Sequence, residues 1–218
     1  MIKAVFFDFD GTMMDTRSGI ENSWKYIFNK LKGVEPDEEI LRLTFGEPLK
    51  TSLLKFFPEY DIDESIEIYR EYIKLNPEDG MKPFPGIVNT VKALYEKGLK
   101  LAIVTSRTEE STHRELKKIG LFDCFGSIQT ATNCENHKPH PEPIFNAMRD
   151  LGLEKDEVIM VGDTLFDLQA SKRAGVKSVL VGWTEDVKED EIQGEYAPDY
   201  ILEKAEDIFK ILEEEKDA

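Results

Sequence analysis

Short apolar runs alternate with stretches of helical periodicity along most of the chain from Lys82 onward. The runs read "LKLAIVTS", "FGSIQTA", "DEVIMVGD" and "VKSVLVGW", and the helical stretches between them include two that end near Gly120 and Gly175. Repeated units of this kind predict a parallel sheet with helices on both faces. The opening run "AVFF" is continuously apolar, which is typical of a strand covered on both sides. The sequence therefore predicts an α/β fold built on a doubly wound parallel sheet.

A purely helical pattern fills the segment between the first strand and the later repeats. Ser18 and Glu21 have the spacing of a capping box, and Pro36 predicts the start of a second short helix. Apolar positions with helical spacing mark the first helix at Ile20, Trp24, Ile27, Phe28 and Leu31, and a later one at Ile66, Tyr69 and Ile73. We therefore expect a core α/β domain from residues 1–15 and 82–218, with an inserted helical cap domain at residues 16–81.

Length and charge limit the possible partners. The chain has 218 residues, enough for a core domain with a smaller insertion. Its 28 basic and 44 acidic residues give a net charge of -16, which disfavours nucleic acid and anionic membranes as partners. The start of the chain does not resemble a signal peptide, and no apolar run has the length of a membrane span. We expect a cytoplasmic monomer or weak dimer with reduced thiols, since Cys124 and Cys134 lack a CxxC spacing.

Polar residues follow several of the predicted strands. Asp and Gly are ordinary turn residues, so acidic residues after a single strand are weak evidence of function. In doubly wound sheets, however, ligands bind beyond the carboxyl ends of the strands. The polar residues at those ends, or just before a following helix, are Asp8, Asp10, Thr105, Ser106, Lys138, Asp163 and Asp167. Their number at one expected edge predicts a ligand-binding site.

The charges of this set predict a metal ion. Four aspartates against one lysine would repel each other and raise their own pKa values. Carboxylate oxygens without neighbouring His or Cys suit Mg²⁺, which typically uses one or two carboxylates together with substrate phosphate. We therefore expect a Mg²⁺ cofactor, which would make the site locally positive towards a phosphate.

Four segments resemble, in order and spacing, the motifs of the haloacid dehalogenase (HAD) superfamily. They are "DFDGT", the Thr105–Ser106 pair, Lys138 with its following prolines, and "GDTLFD". The helical insertion looks like the small cap of that superfamily. The segments "FGEPL", "KPHPEP" and "VGWT" look most like those of phosphoglycolate phosphatases and related bacterial pyrophosphatases.

The resemblance implies a role for each residue. Asp8 would be the nucleophile that forms an aspartyl phosphate, and Asp10 would be the general acid and base. Mg²⁺ would be held by Asp8, the Asp10 backbone carbonyl and Asp163, with Asp167 at or near its water shell. The phosphoryl group would be bound by Thr105, the Ser106 amide and Lys138, while Gly11 and Thr12 would turn the chain towards the cap and line the phosphate site.

The leading interpretation is a Mg²⁺-dependent phosphatase for a small phosphorylated metabolite, of phosphoglycolate phosphatase type. An inorganic pyrophosphatase or a phosphomutase of the same superfamily is the alternative; Thr12 favours hydrolysis, since the mutases usually carry Val there. Dehalogenation is disfavoured because it needs neither Asp10 nor a metal. A non-catalytic phosphate-binding regulator is the alternative from a different class. Arg107 either touches the substrate or covers the surface.

Overall fold

Six parallel strands form the main sheet of the computed structural model, which describes residues 1–76, 79, 81–183, 187–188 and 192–217. In chain order the strands are β1 (Ala4–Phe7), β4 (Lys100–Val104), β5 (Ser127–Gln129), β6 (Val158–Gly162), β7 (Lys177–Val181) and β8 (Tyr200–Leu202). Their spatial order is β5-β4-β1-β6-β7-β8, so β1 lies between β4 and β6. The predicted α/β fold with a parallel sheet is confirmed.

Five helices cover the two faces of this sheet. They are α5 (Ile87–Glu96), α6 (Glu109–Lys118), α7 (Glu142–Leu151), α8 (Leu165–Ala174) and α9 (Ile208–Asp217). Side chains of β1 alternate between the faces: Val5 and Phe7 belong to one buried cluster, and Ala4 and Phe6 to the other. Because both faces are covered, every residue of β1 must be apolar, which explains the unbroken apolar run at the start of the chain.

Four further helices pack around a hydrophobic cluster of their own. They are α1 (Arg17–Lys32), α2 (Glu38–Thr44), α3 (Leu49–Phe56) and α4 (Ile62–Leu75). The buried members of the cluster are Trp24, Ile27, Phe28, Leu41, Leu53, Phe57 and Ile68. The helical face predicted for the first of these helices is thus the face it buries. We call this helical unit the cap.

A short antiparallel ribbon connects the cap to the sheet. Its strands are β2 (Met14–Asp15) and β3 (Lys82–Pro83), and Met14 pairs with Pro83. The chain therefore leaves the sheet and returns to it at adjacent positions. Both crossings lie close to the carboxyl end of β1.

Local details differ from the sequence prediction at two helix starts. The capping box at Ser18 is wrong: α1 begins at Arg17, and the Thr16 carbonyl accepts the first helical hydrogen bond from the Ile20 amide at 3.0 Å. The helix after Pro36 begins at Glu38, because the Asp37 side chain accepts from the Ile40 amide and caps it.

The remaining whole-chain predictions concern thiols and membrane spans. Cys124 and Cys134 are both free thiols, as expected. Among the described residues, no helix combines the length and apolar character that crossing a membrane requires.

Candidate active site

The carboxyl ends of β1 and β6 bring two aspartates together. Asp8 directly follows β1, and its amide donates to the Val161 carbonyl of β6 at 2.9 Å. Asp163 directly follows β6. Since the two strands are parallel neighbours in register, their following residues meet at one edge of the sheet.

Three buried carboxylates form a cluster at this edge. Oxygens of Asp8, Asp163 and Asp167 lie within 4.8 Å of one another. Burial is the main cause that raises the pKa of Asp8 to about 6, although Lys138 opposes the shift. Burial and the charges of Asp8 and Asp167 raise the pKa of Asp163 well above its usual range. Ionised, these groups repel each other, and an oxygen-only donor set of this kind fits a hard divalent cation.

Among the residues that the structure describes, Lys138 supplies the positive charge within the cluster. Its Nζ lies 2.8 Å from Asp8 Oδ1 and 2.6 Å from Asp167 Oδ1. Burial opposes the charged ammonium, but Asp167 and Asp8 outweigh it and raise the pKa of Lys138. The lysine is therefore a fixed cation that partly neutralises three carboxylates.

The start of α8 fixes Asp167. Its Oδ2 accepts from the Thr164 amide at 3.1 Å and from Thr164 Oγ1 at 2.7 Å, and Thr164 is the N-cap of α8. With Lys138 on Oδ1, both oxygens of Asp167 have a donor. Thr164 is a residue that the sequence analysis missed, although a Thr three residues before an Asp is a typical helix-start signal.

Gly11 and Thr12 pass close to Asp163. Gly11 has a φ of 71°, and a Cβ at this position would lie 2.0 Å from Asp163 Oδ2. Only glycine therefore fits at this turn. The Gly11 amide donates to the Met14 carbonyl at 2.9 Å, and Thr12 Oγ1 donates to Asp163 Oδ1 at 3.0 Å. Both residues thus lie against Asp163 of the carboxylate cluster.

Asp10 lies outside the cluster and faces a different partner. Its Oδ1 accepts from Arg107 Nη1 at 2.7 Å, and its side chain is 26% exposed. Arg107 follows β4 closely, and its amide donates to Thr105 Oγ1 at 3.3 Å. The structure thus places Arg107 beside a predicted catalytic residue, Asp10. Thr105 is buried at the same sheet edge.

The cap contacts the site through the segment "FGEPL". Ser106 Oγ donates to the Gly46 carbonyl at 2.6 Å, which joins the end of β4 to the cap. On α4, burial raises the pKa of Tyr69, with the nearby Asp10 adding to the shift and Arg107 opposing it. Tyr69 therefore lies near the Asp10–Arg107 pair. Glu47 of the same segment accepts from Ser52 Oγ at 2.9 Å.

A tryptophan after β7 joins the site to the ribbon. Trp183 Nε1 donates to the Gly11 carbonyl at 3.1 Å, and its ring lies 5.4 Å from the ring of Phe84, which follows β3. The sequence analysis noted the segment "VGWT" but assigned no role to this side chain. Thr184, the last residue of the segment "VGWT", lies outside the described residues.

Comparison with known proteins gives consistent matches over most of the chain. A family model for haloacid dehalogenase-like hydrolases matches residues 5–181. Pyrophosphatase PpaX from Halalkalibacterium halodurans is 35% identical over 97% of this chain and 97% of its own length. A haloacid dehalogenase-like hydrolase structure from Streptococcus pneumoniae has a TM-score of 0.80 at 27% identity and covers 97% of this chain and 98% of that one. A predicted phosphoglycolate phosphatase from Haemophilus somnus shares the fold, with a TM-score of 0.79 at 22% identity over 97% and 98% of the two chains.

Proposed function

Since the chain belongs to the haloacid dehalogenase-like hydrolase family, as its motifs predicted, we propose that it is a Mg²⁺-dependent phosphatase for small phosphorylated molecules that works through an aspartyl phosphate. One observation carries this proposal: the buried Asp8 carboxylate lies 2.8 Å from the Lys138 ammonium and within 4.8 Å of two further carboxylates. A carboxylate positioned in this way suits nucleophilic attack on phosphorus.

We propose that Asp8, Asp163 and Asp167 provide the environment that holds Mg²⁺, together with the Asp10 backbone carbonyl. The buried oxygen donors and their mutual repulsion support this assignment. When bound, Mg²⁺ supplies positive charge that offsets the carboxylates and stabilises phosphoryl oxygens.

In the first step, an oxygen of Asp8 forms a bond to phosphorus while the bond from phosphorus to the leaving oxygen breaks. Asp10 gives its proton to that leaving oxygen. Lys138, Thr105 and the Ser106 amide bind the transferring phosphoryl oxygens, where negative charge accumulates. In the second step, Asp10 takes a proton from water, the water oxygen bonds to phosphorus, and Asp8 is released.

Pyrophosphate is the substrate that we propose first. The relative from Halalkalibacterium halodurans is a pyrophosphatase and aligns with nearly the whole chain. Phosphoglycolate and similar small esters form the second group to test, because the predicted leaving-group acid Asp10 would serve an alcohol equally well.

Release of inorganic phosphate from pyrophosphate and from a panel of small phosphate esters tests this function. We expect turnover with Mg²⁺, none with excess chelator, and recovery when Mg²⁺ is restored. Asp8→Asn is expected to abolish turnover while keeping the fold, because an amide of the same shape is a poor nucleophile. Asp156→Asn, a matched change on the exposed surface, is the control. Full activity in chelator, or in the Asp8→Asn variant, would refute the mechanism.

A further inference from the structure

A second cation is held on the cap side of the site. The guanidinium of Arg107 pairs with Asp10 at 2.7 Å, and its central carbon lies 5.3 Å from the centroid of the Phe9 ring. The arginine side chain is only 17% exposed. Two contacts and partial burial therefore fix its orientation without any contribution from a substrate.

One donor of this guanidinium has no acceptor. Among the described residues, Arg107 Nε is a buried side-chain nitrogen without any hydrogen-bond partner. Buried donors without partners are rare and unfavourable, so a native structure that keeps one calls for an explanation. A guanidinium presents its donors in a planar fork that fits phosphate and carboxylate oxygens. Because Nε is buried, an anionic ligand would satisfy it once the groups that cover it move aside.

The position of Arg107 indicates which part of a substrate that anion belongs to. Lys138 contacts Asp8 and Asp167, on the side where the transferred phosphoryl group is expected. Arg107 instead contacts Asp10, which has to reach the leaving oxygen in the proposed mechanism. A group attached to that oxygen therefore comes within range of Arg107.

We propose that Arg107 determines specificity by binding an anionic group on the leaving side of the substrate. That anion is the second phosphate of pyrophosphate or the carboxylate of a small phosphate ester. The inference rests on the proposed function and narrows its substrate class. A local cation is also needed because a protein with a net charge of -16 repels dianionic substrates elsewhere on its surface.

Three substrates distinguish binding of an anion by Arg107 from a role in which Arg107 only positions Asp10. They are pyrophosphate, phosphoglycolate and 2-hydroxyethyl phosphate, whose leaving alcohol differs from that of phosphoglycolate by an uncharged hydroxymethyl group in place of the carboxylate. We expect Arg107→Gln to lower kcat/KM about 10- to 100-fold more for an anionic leaving group than for 2-hydroxyethyl phosphate, mainly through KM. Of pyrophosphate and phosphoglycolate, the substrate whose kcat/KM falls further in Arg107→Gln carries the anion that Arg107 binds.

Arg107→Lys and Arg70→Gln complete the set of variants. Lysine keeps the charge but lacks the fork, so it is expected to recover only part of the discrimination. Arg70 lies on α4 with its side chain 49% exposed and pairs with Glu67, so Arg70→Gln removes the same charge at a surface position and should act like wild type. An equal loss on all three substrates in Arg107→Gln would overturn the proposal while leaving the phosphatase function intact.

Binding of methylenediphosphonate, a pyrophosphate analogue that cannot be hydrolysed, tests the proposal independently of turnover. Calorimetry with Mg²⁺ is expected to show affinity at least about tenfold weaker for Arg107→Gln than for wild type. Unchanged affinity would contradict the role of Arg107. If no tested substrate is hydrolysed by wild type, the proposed function fails, and this titration still decides whether Arg107 binds anions.

Discussion

At the scale of single residues, the carboxylate cluster makes the protein less stable when no cation is bound. Burial raises the pKa of Asp8 to about 6, and the pKa of Asp163 is raised even though Thr12 donates to it. The pKa of each group is thus raised above the value of about 3.9 of an aspartate in an unfolded chain. Groups shifted upwards in this way stabilise the fold below about pH 4, and this contribution is lost as the pH rises to about 6 and beyond.

Asp163→Asn is therefore expected to stabilise the protein in the absence of metal. The amide keeps an acceptor for Thr12 but cannot ionise, so at pH 8 in chelator we expect a gain of about 0.5–2 kcal/mol in the free energy of unfolding. The gain should shrink towards pH 4. Urea denaturation across this pH range measures it, with Asp156→Asn as control. Mg²⁺ should stabilise wild type but not Asp163→Asn, and a less stable variant at pH 8 in chelator would contradict the argument.

At the scale of elements, the first cap helix packs closely against Asp79, which follows the last cap helix in the chain. Asp79 accepts from Asn22 Nδ2 at 2.9 Å and from Tyr72 Oη at 2.5 Å, and these hydrogen bonds lower its pKa. Asp79 thus joins α1 and α4. Gly19 in α1 lies against the backbone of Asp79, where a Cβ would be 2.6 Å from the carbonyl oxygen.

Gly19→Ala sets helix propensity against packing. In an exposed helix, alanine would be favoured over glycine by about 1 kcal/mol. Here the methyl group meets a backbone oxygen that cannot rotate away, and overpacking costs about 1–3 kcal/mol. We expect a net destabilisation in urea denaturation. Ser18→Ala, at the exposed neighbouring position, should have little effect, and a Gly19→Ala variant more stable than wild type would show that the segment gives way.

At the scale of the whole molecule, the position of the cap suggests a lid. The ribbon of β2 and β3 places both chain crossings beside the site, and Ser106 contacts Gly46 of the cap. Closure of a lid excludes water and strengthens electrostatic interactions, but it limits the size of the substrate.

We therefore expect hydrolysis of small substrates and exclusion of large ones. N-acetyl-phosphoserine amide and a folded protein that carries an exposed phosphoserine present the same reacting group without a free carboxylate or ammonium, so their rates of phosphate release compare substrate size. The folded phosphoprotein should be hydrolysed orders of magnitude more slowly. Equal rates would rule out the lid, whatever the chemistry at Asp8.

The sequence by itself determined the sheet and the position of its reactive edge. These features follow from local patterns: a continuously apolar strand has to be buried on both faces, and polar residues directly after parallel strands have to meet at one edge. Asp8, Thr105 and Asp163 could be placed in this way because each is attached to a strand end.

Only the tertiary structure decided which groups meet around the site and between the sheet and the cap. Arg107 and Asp10 are 97 residues apart, Ser106 and Gly46 are 60 apart, and Trp183 and Gly11 are 172 apart. No periodicity links such positions, since each contact depends on how loops leave the sheet and how the cap rests on it. The capping box at Ser18 was misplaced for a related reason: the ribbon before α1, not the helix sequence, sets where that helix begins.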